Sequence, residues 1–322
     1  MADVVVIGGG TAGLTAAIFL QRGALQCTVL ETEIFGGRIF PSLSIDNYPA
    51  MPGISGFDYS EKLHEHARSL GADMVNEAVE SIARSGDMWQ VSTQDSAYVA
   101  QAVIFAAGEK HRELGIPGEA EFFGRGVAVC AVCDGAFYRD MDVAVIGGGD
   151  KALDDALYLS RICNVVHLVH RREEFRAAGG VVAQVKKTPN IVLHLNRVAI
   201  EIGGASKVES LTIGGVGAGA GGGSGAGGGS GGNGDELEKL NVSGVFIAIG
   251  SVPLSALCAG LVQTDDQGYI IAGEDCKTPT PGLFVAGDVR RKPFRQLVTA
   301  ASDGAVAAIA AAEYITSKKR GE

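Results

Sequence analysis

The sequence predicts an α/β protein made of two Rossmann-like dinucleotide-binding domains, the second inserted in the first. Three observations carry this expectation. Two glycine fingerprints, Gly8-x-Gly10-x-x-Gly13 and Gly147-x-Gly149-x-x-Ala152, each follow a short apolar run and precede a helical pattern, the context that raises such a match above chance. The layout also repeats: VVVIGGGTAGLTAAIFL from Val4 resembles VAVIGGGDKALDDALYL from Val143, and AVIFAAGEKHREL from Ala102 is echoed by GVFIAIGSVPLSAL from Gly244. Each copy runs from a fingerprint strand to a closing strand. Finally, residues 251–322 have no fingerprint of their own and most simply complete the first copy. The expected division is 1–114 with 251–322 for the first domain and 115–250 for the second.

The elements follow in chain order. Val4–Ile7 reads as a buried strand, and its fingerprint (Gly8, Gly10, Thr11, Ala12, Gly13) opens a helix. Glycines there permit a tight turn and close approach of backbone to a pyrophosphate at a helix N-terminus. Cys27–Leu30 reads as the next strand, and Glu31 stands at its end, eighteen residues after Gly13. A carboxylate at that register accepts hydrogen bonds from ribose hydroxyls and repels a 2′-phosphate. The second copy begins at Val143–Ile146, with Asp150 and Lys151 at its helix start. Eighteen residues after Ala152, following an expected strand at 165–169, comes His170, then Arg171, Arg172 and, a turn later, Arg176. Guanidinium groups there suit a 2′-phosphate through charge and bidentate hydrogen bonding. The first site is therefore expected to take FAD and the second NADPH. Residues 208–213 and 236–242 read as strands of a hairpin edge. Between them, residues 214–234 hold 14 glycines in 21 positions, a composition expected to form a flexible coil because it offers little apolar surface to offset backbone entropy. A strand within 282–288 and an alanine-rich helix over 296–315 close the chain.

Composition narrows the function. A formal charge of −10 argues against a nucleic-acid or anionic-membrane partner. The apolar stretch 4–20 lacks a basic leader and carries a fingerprint, so it reads as strand and helix rather than as a signal or membrane segment. The expected location is cytoplasmic. Six cysteines in 322 residues do not make a structural disulfide framework. Cys27 and Cys163 read as small buried hydrophobes, and Cys258 and Cys276 carry no functional reading. Only Cys130 and Cys133, in Cys-Ala-Val-Cys, have redox spacing. Zinc would need two further ligands at knuckle spacing; the nearest candidates, Cys163 and His167, sit on another strand-forming segment without a second knuckle, so no metal is expected. A cysteine at a helix start has a lowered pKa, and its thiolate attacks disulfides. Asp134 directly follows; it serves either as a proton donor or as an ordinary first-turn aspartate favouring the helix dipole.

These residues match a known family. Gly-Arg-Gly-Val-Ala-Val-Cys-Ala-Val-Cys-Asp-Gly from Gly124, His-Arg-Arg-x-x-x-Arg from His170, Gly-Asp-Val from Gly287 and Arg-Gln-Leu-Val-Thr-Ala-Ala from Arg295 resemble the low-molecular-weight thioredoxin reductases. The resemblance covers the whole chain apart from the glycine tract. It implies FAD contacts at Gly8, Gly10, Thr11, Ala12, Gly13, Glu31, Gly37, Arg38, Asn47, Gly108, Gly287, Asp288, Arg295 and Gln296, the last two near the flavin ring. NADPH contacts are implied at Gly147, Gly149, Asp150, Lys151, His170, Arg171, Arg172 and Arg176. It further implies that Cys133 faces the flavin, that Cys130 is the interchange thiol and that Asp134 is the proton donor. The implied partner is thioredoxin or a thioredoxin-like protein, and the implied assembly is a homodimer. One dithiol serving both flavin and partner also implies that the insert rotates as a body.

Some positions depart from the family pattern. Arg38 stands where glutamine is usual, and Phe40-Pro41 where hydroxyl residues are usual, along the expected flavin path. Thr11 replaces a proline. Lys151 replaces a serine, where it either adds a pyrophosphate contact or points to solvent. Three alternatives differ in their electron chemistry. A peroxiredoxin-reducing relative carries an additional N-terminal thioredoxin-like region, whereas the first strand here begins at Asp3. A ferredoxin-type donor is opposed by the intact His-Arg-Arg-x-x-x-Arg. A redox-silent FAD-binding protein is opposed by the dithiol.

Overall fold

The computed structural model describes residues 2–42, 44–217 and 237–320. The chain divides into two compact units, one of Met1–Lys110 with Val252–Glu322 and one of His111–Ser251. The first segment contains β1 (Val4–Ile7), α1 (Thr11–Arg22), β2 (Cys27–Leu30), α2 (Gly56–Ser69) and β3 (Asp73–Val75). It continues through β4 (Val79–Ser85), β5 (Met88–Thr93), β6 (Ala97–Ala100), β7 (Ala102–Phe105) and β8 (Glu109–His111). Next come β9 (Val127–Ala128), α3 (Ala131–Asp134), β10 (Val143–Ile146), α4 (Asp150–Leu159), β11 (Val166–His170) and α5 (Gly179–Lys187). The insert ends with β12 (Ile191–Leu195), β13 (Arg197–Gly204), β14 (Val208–Gly215), β15 (Glu238–Asn241), β16 (Gly244–Ile247) and β17 (Ser251–Pro253). The chain closes with β18 (Leu283–Val285) and α6 (Leu297–Arg320).

Each unit has three layers on one plan. In the first, the strand order is β18-β7-β1-β2-β3, with every pair parallel. Val4 and Val6 face α1 and α6, packing with Ala16, Ala17, Ala307 and Ala311. Val5 and Ile7 face the other way, into the three-stranded antiparallel sheet β4-β5-β6 around Trp89 and Val91. A parallel strand covered on both faces must be apolar at every position, which explains why VVVI and AVIF are uninterrupted. The second unit repeats this arrangement with order β12-β11-β10-β16-β9. Val143 and Val145 pack under α4, while Ala144 and Ile146 meet Leu211 and Ile213 of the β13-β14-β15 sheet. The repeat holds in register, since Val4 pairs with Ala102 where Val143 pairs with Gly244. Both parallel sheets and the resemblance to a two-Rossmann family were legible in sequence. Of the two antiparallel sheets, only the β14–β15 edge was read from sequence; β4–β6 was not, although Gly86-Asp87 joins Ser85 to its partner Met88 in a tight hairpin turn.

Several boundaries differ from expectation. β14 runs on through Gly214 and Gly215, which pair with Val198 and Arg197, so the first two glycines of the tract are strand and not coil. The neighbour strand supplies the hydrogen bonds that override glycine's weak strand preference. Residues 218–236, including most of the tract and the start of the expected strand at 236, lie outside the described residues. His170 is the last residue of β11 rather than the residue after it. The last helix continues past Ile315 to Arg320, its basic final turn favouring the helix dipole. Long and apolar enough on length and composition to cross a membrane, α6 instead buries Ala300, Ala307, Ala308 and Ala311 against the first unit's core.

Candidate functional site

In the first unit the fingerprint lies at the carboxyl end of β1, where open α/β sheets bind ligands. Gly8 has φ +105, and a Cβ there would strike the Ala106 carbonyl; a Cβ on Gly13 would strike the Gly8 carbonyl. These two glycines are required by the fold itself. Gly10 is different: it caps α1 with φ −76, and a Cβ there would meet nothing within 4 Å among the described residues. The protein has no packing reason for glycine at that point, and the open space in front of the helix suits a pyrophosphate. Glu31 accepts the backbone N–H groups of Gly9 at 2.6 Å and Glu33 at 2.9 Å, which fixes its carboxylate beside the fingerprint. Thr11 and Ala12 are buried in the first turn of α1.

The far wall is built by β18 and the turn that follows it. Gly287 takes φ +79 and abuts Ala12, 2.9 Å from where its Cβ would be, so Asp288 stands next to the α1 N-terminus. Asp288 Oδ1 is buried with no hydrogen-bond partner among the described residues; Lys292 Nζ is 3.6 Å away. Burial is the main cause that raises the Asp288 pKa, with Lys292 opposing it. A buried acceptor without a donor fits a hydroxyl-bearing ligand, since leaving it unpaired costs free energy. Asn47 Nδ2 donates to Gln296 Oε1 at 3.1 Å, joining two expected contacts 249 residues apart. Gly108 takes φ +72 with open space beside it.

The Arg38 departure has a partner in Glu109. Arg38 Nη1 lies 2.9 Å from Glu109 Oε1, and Glu109 is only 6% exposed. Tyr269 donates to Glu109 Oε2 at 2.7 Å, and Arg295 Nε is 3.5 Å from the same oxygen. The Arg295 guanidinium stacks over the Tyr269 ring at 3.7 Å and donates to the Asp288 carbonyl at 3.2 Å. Sequence reasoning missed Glu109 and Tyr269. Neither has a motif, and they meet only across 160 residues of chain.

In the second unit Gly147 takes φ +156, with the Ala248 carbonyl where its Cβ would be, whereas a Cβ on Gly149 would meet nothing within 4 Å. The same division of labour holds as in the first fingerprint. The arginine-bearing loop is tied to this turn, because Arg176 N donates to the Gly148 carbonyl at 2.9 Å and Ala178 N to Asp150 Oδ1 at 3.0 Å. Arg171, Arg172 and Arg176 are exposed, their guanidiniums available to a ligand. His170 is not: it is buried, its ring packs beneath Gly148, and Nε2 donates to the Glu174 carbonyl at 3.1 Å. Burial lowers its pKa, and the ring props the turn from beneath. Lys151 Nζ pairs with Asp155 at 2.6 Å, one helical turn on; neither alternative read from the sequence included that partner.

The dithiol belongs to the second unit and is oxidised, Cys130 and Cys133 being joined as a disulfide with Cα atoms 5.3 Å apart. Cys130 caps α3, and its sulfur accepts the Cys133 N–H at 3.2 Å. Both cysteines are half-buried. Asp134, in the same turn, has its pKa pushed up to about 6 by burial. The four other cysteines are buried free thiols, and burial raises their pKa values to about 11 or 12. They are poor nucleophiles, as thiols must ionise to attack.

Two dinucleotide folds and a helix-start disulfide with a half-buried acid define a disulfide oxidoreductase. Comparison with known proteins agrees: the profile of the pyridine nucleotide-disulphide oxidoreductase family matches residues 2–305. The thioredoxin reductase of Treponema pallidum is 41% identical over 315 residues, covering 97% of each chain. That of Mycolicibacterium smegmatis is 37% identical, covering 98% of this chain and 97% of the relative. Among solved structures, thioredoxin reductase from Streptococcus pyogenes superposes with a TM-score of 0.90 at 36% identity, covering 98% of this chain and 99% of that one. The chain therefore belongs to the pyridine nucleotide-disulphide oxidoreductase family, and within it to the thioredoxin reductases. Its activity class is that of a flavoenzyme reducing a thioredoxin disulfide, and the family implies a flavin and a pyridine nucleotide.

Proposed function

We propose that this chain carries electrons from NADPH through FAD and the Cys130–Cys133 disulfide to the disulfide of a thioredoxin. The observation that carries the reading is the redox disulfide at a helix start with Asp134 beside it, its pKa raised to about 6 by burial. FAD would be held by Gly8, Gly10, Gly13, Glu31, Gly37, Arg38, Asn47, Gly108, Gly287, Asp288, Arg295 and Gln296, with Thr11 and Ala12 at the helix start. NADPH would be held by Gly147, Gly149, Asp150, Lys151, Arg171, Arg172 and Arg176, with His170 supporting the turn from beneath. When bound, the two cofactors supply the hydride and two-electron chemistry.

The chain's own residues do the rest. Two electrons break the S–S bond, and with one proton donated by Asp134 the pair becomes one thiol and one thiolate. Cys130, whose sulfur already accepts the Cys133 N–H, is the thiolate that attacks the partner disulfide. A mixed disulfide forms and one partner thiol leaves. Cys133 then attacks the Cys130 sulfur, releasing the second partner thiol and restoring the internal disulfide. Arg125 is exposed in the loop before the dithiol and faces the partner in this reading. A Mycobacterium leprae relative, 38% identical, is a bifunctional thioredoxin reductase/thioredoxin, which supports a thioredoxin as the partner. A working dithiol of this kind belongs in a reducing compartment, so we place the protein in the cytoplasm, as a homodimer. The test is NADPH-driven reduction of a dye-coupled disulfide with and without thioredoxin. Thioredoxin-dependent turnover with NADPH supports the reading, and a flavin that NADPH fails to bleach overturns it.

A further inference from the structure

The residues beyond the fingerprint converge on one charge cluster. Gly36 bridges to Gly10, and a Cβ on Gly37 would stand 3.1 Å from the Gly10 Cα, so Arg38 leaves the fingerprint on one wall of the crevice. Asp288 and Arg295 leave it on the other, through the Gly287–Ala12 contact. Glu109 follows the end of β7 and joins the two walls, pairing with Arg38 at 2.9 Å and approaching Arg295 at 3.5 Å. Glu31 is held at the fingerprint by the Gly9 N–H. On the FAD reading, these two walls would hold the half of the dinucleotide away from Glu31.

The cluster is built rather than incidental. Glu109 is 6% and Tyr269 5% exposed, and a buried carboxylate in that position costs free energy unless paired. Two guanidiniums and a phenol satisfy it. The Tyr269 ring in turn carries the Arg295 guanidinium on its face, a cation–π contact that fixes the plane of the arginine.

We propose that Glu109 is a positioning residue for the flavin: it orients Arg38 and Arg295 and holds down the positive charge that they present to the flavin ring. This rests on the FAD reading above. Adding two electrons to a flavin places negative charge on its ring, so uncompensated arginines favour the reduced form and Glu109 opposes it. Removing the Glu109 charge raises the flavin potential, and removing the Arg38 charge lowers it.

Sulfite tests this without turnover. Its sulfur lone pair forms a bond to the flavin ring, the displaced electron pair remains on the ring as negative charge, and the yellow colour bleaches. The titration uses the full-length protein with Cys130→Ser and Cys133→Ser, so that sulfite meets no disulfide to cleave. Relative to that parent, Glu109→Gln is expected to bind sulfite on the order of tenfold more tightly. Arg38→Gln is expected to bind it several-fold more weakly, less than in proportion because Arg38 is 40% exposed and its charge is screened. The double variant returns towards the parent. A dye-equilibration measurement of the flavin potential should move in the same order, tenfold corresponding to about 30 mV for a two-electron couple. A flavin-loaded Glu109→Gln protein with unchanged or weaker sulfite binding overturns the inference. If Glu109→Gln does not retain flavin, Arg38→Gln decides alone, and unchanged binding there also overturns it. A parent that neither carries flavin nor takes it up on reconstitution refutes the cofactor reading instead.

Discussion

Asp134→Asn separates function from stability at a single atom. Burial raises the Asp134 pKa from 3.8 to about 6, so the folded protein holds this proton more tightly than the unfolded chain does. Ionising the group in the folded state therefore costs stability. The cost is absent below about pH 3.8, grows between pH 3.8 and 6, and is complete above it. At about 1.4 kcal/mol per pH unit, the shift amounts to roughly 3 kcal/mol. Asparagine carries no charge to bury, so the variant should gain up to that much above pH 6 and nothing near pH 4. For a unit of this size each kcal/mol moves the midpoint by about 2–4 °C, so thermal unfolding of the oxidised protein at pH 7.5 should rise by several degrees. Turnover should move the other way. Losing a positioned proton donor typically costs about 10²-fold or more, and the parent's proton-donating step, followed in single turnover, should slow by nearly tenfold per pH unit above 6. That slope should vanish in Asp134→Asn. A variant with unchanged turnover would refute the proton-donor role, and one no more stable at pH 7.5 than the parent would refute the costly buried charge. A gain in stability with a loss of activity is the signature of a site kept strained for function.

Other perturbations test other parts of the site. Gly10→Ala and Gly149→Ala add a methyl group into open space, so the apo fold should keep its stability while FAD and NADPH binding respectively weaken; equal cofactor affinities measured by titration would show that no pyrophosphate sits there. Arg171→Ala with Arg172→Ala should raise the KM for NADPH by roughly tenfold per lost guanidinium contact and leave that for NADH nearly unchanged in steady-state assays. Cys130→Ser and Cys133→Ser should each abolish disulfide reduction while NADPH still bleaches the flavin. Only Cys130→Ser should show long-wavelength absorbance from a thiolate beside the flavin, and the band in Cys133→Ser instead would reverse the two sulfur roles. Replacing residues 218–234 by a short turn should leave turnover intact and raise stability by on the order of 1 kcal/mol, because β14 and β15 pair from Ser210↔Asn241 to Ile213↔Glu238 without it; loss of activity in a folded variant would assign the tract a role.

Sequence alone determined what depends on local pattern. VVVI and VAVI are apolar at every position because each strand is covered on both faces, and that makes both parallel sheets legible before any contact is known. The fingerprints were legible because tight turns at strand ends restrict residue type over six positions. Cys130, Cys133 and Asp134 were legible because redox spacing is a local property of one helical turn. Tertiary structure decided what depends on partners far apart in the chain. Arg38 reads as an isolated departure until Glu109, 71 residues on, supplies its carboxylate, and Glu109 carries no reading at all until Tyr269 and Arg295 are seen against it. His170 reads as one of four phosphate ligands, and only the structure shows its ring packed beneath Gly148 and 7% exposed. Lys151 reads as either a pyrophosphate contact or a solvent-facing charge, and only the structure shows Asp155 beside it, one helical turn on. In each case a charged or polar side chain is assigned by the low-dielectric neighbour it meets, and residues brought together by folding leave no periodicity in the sequence to announce them.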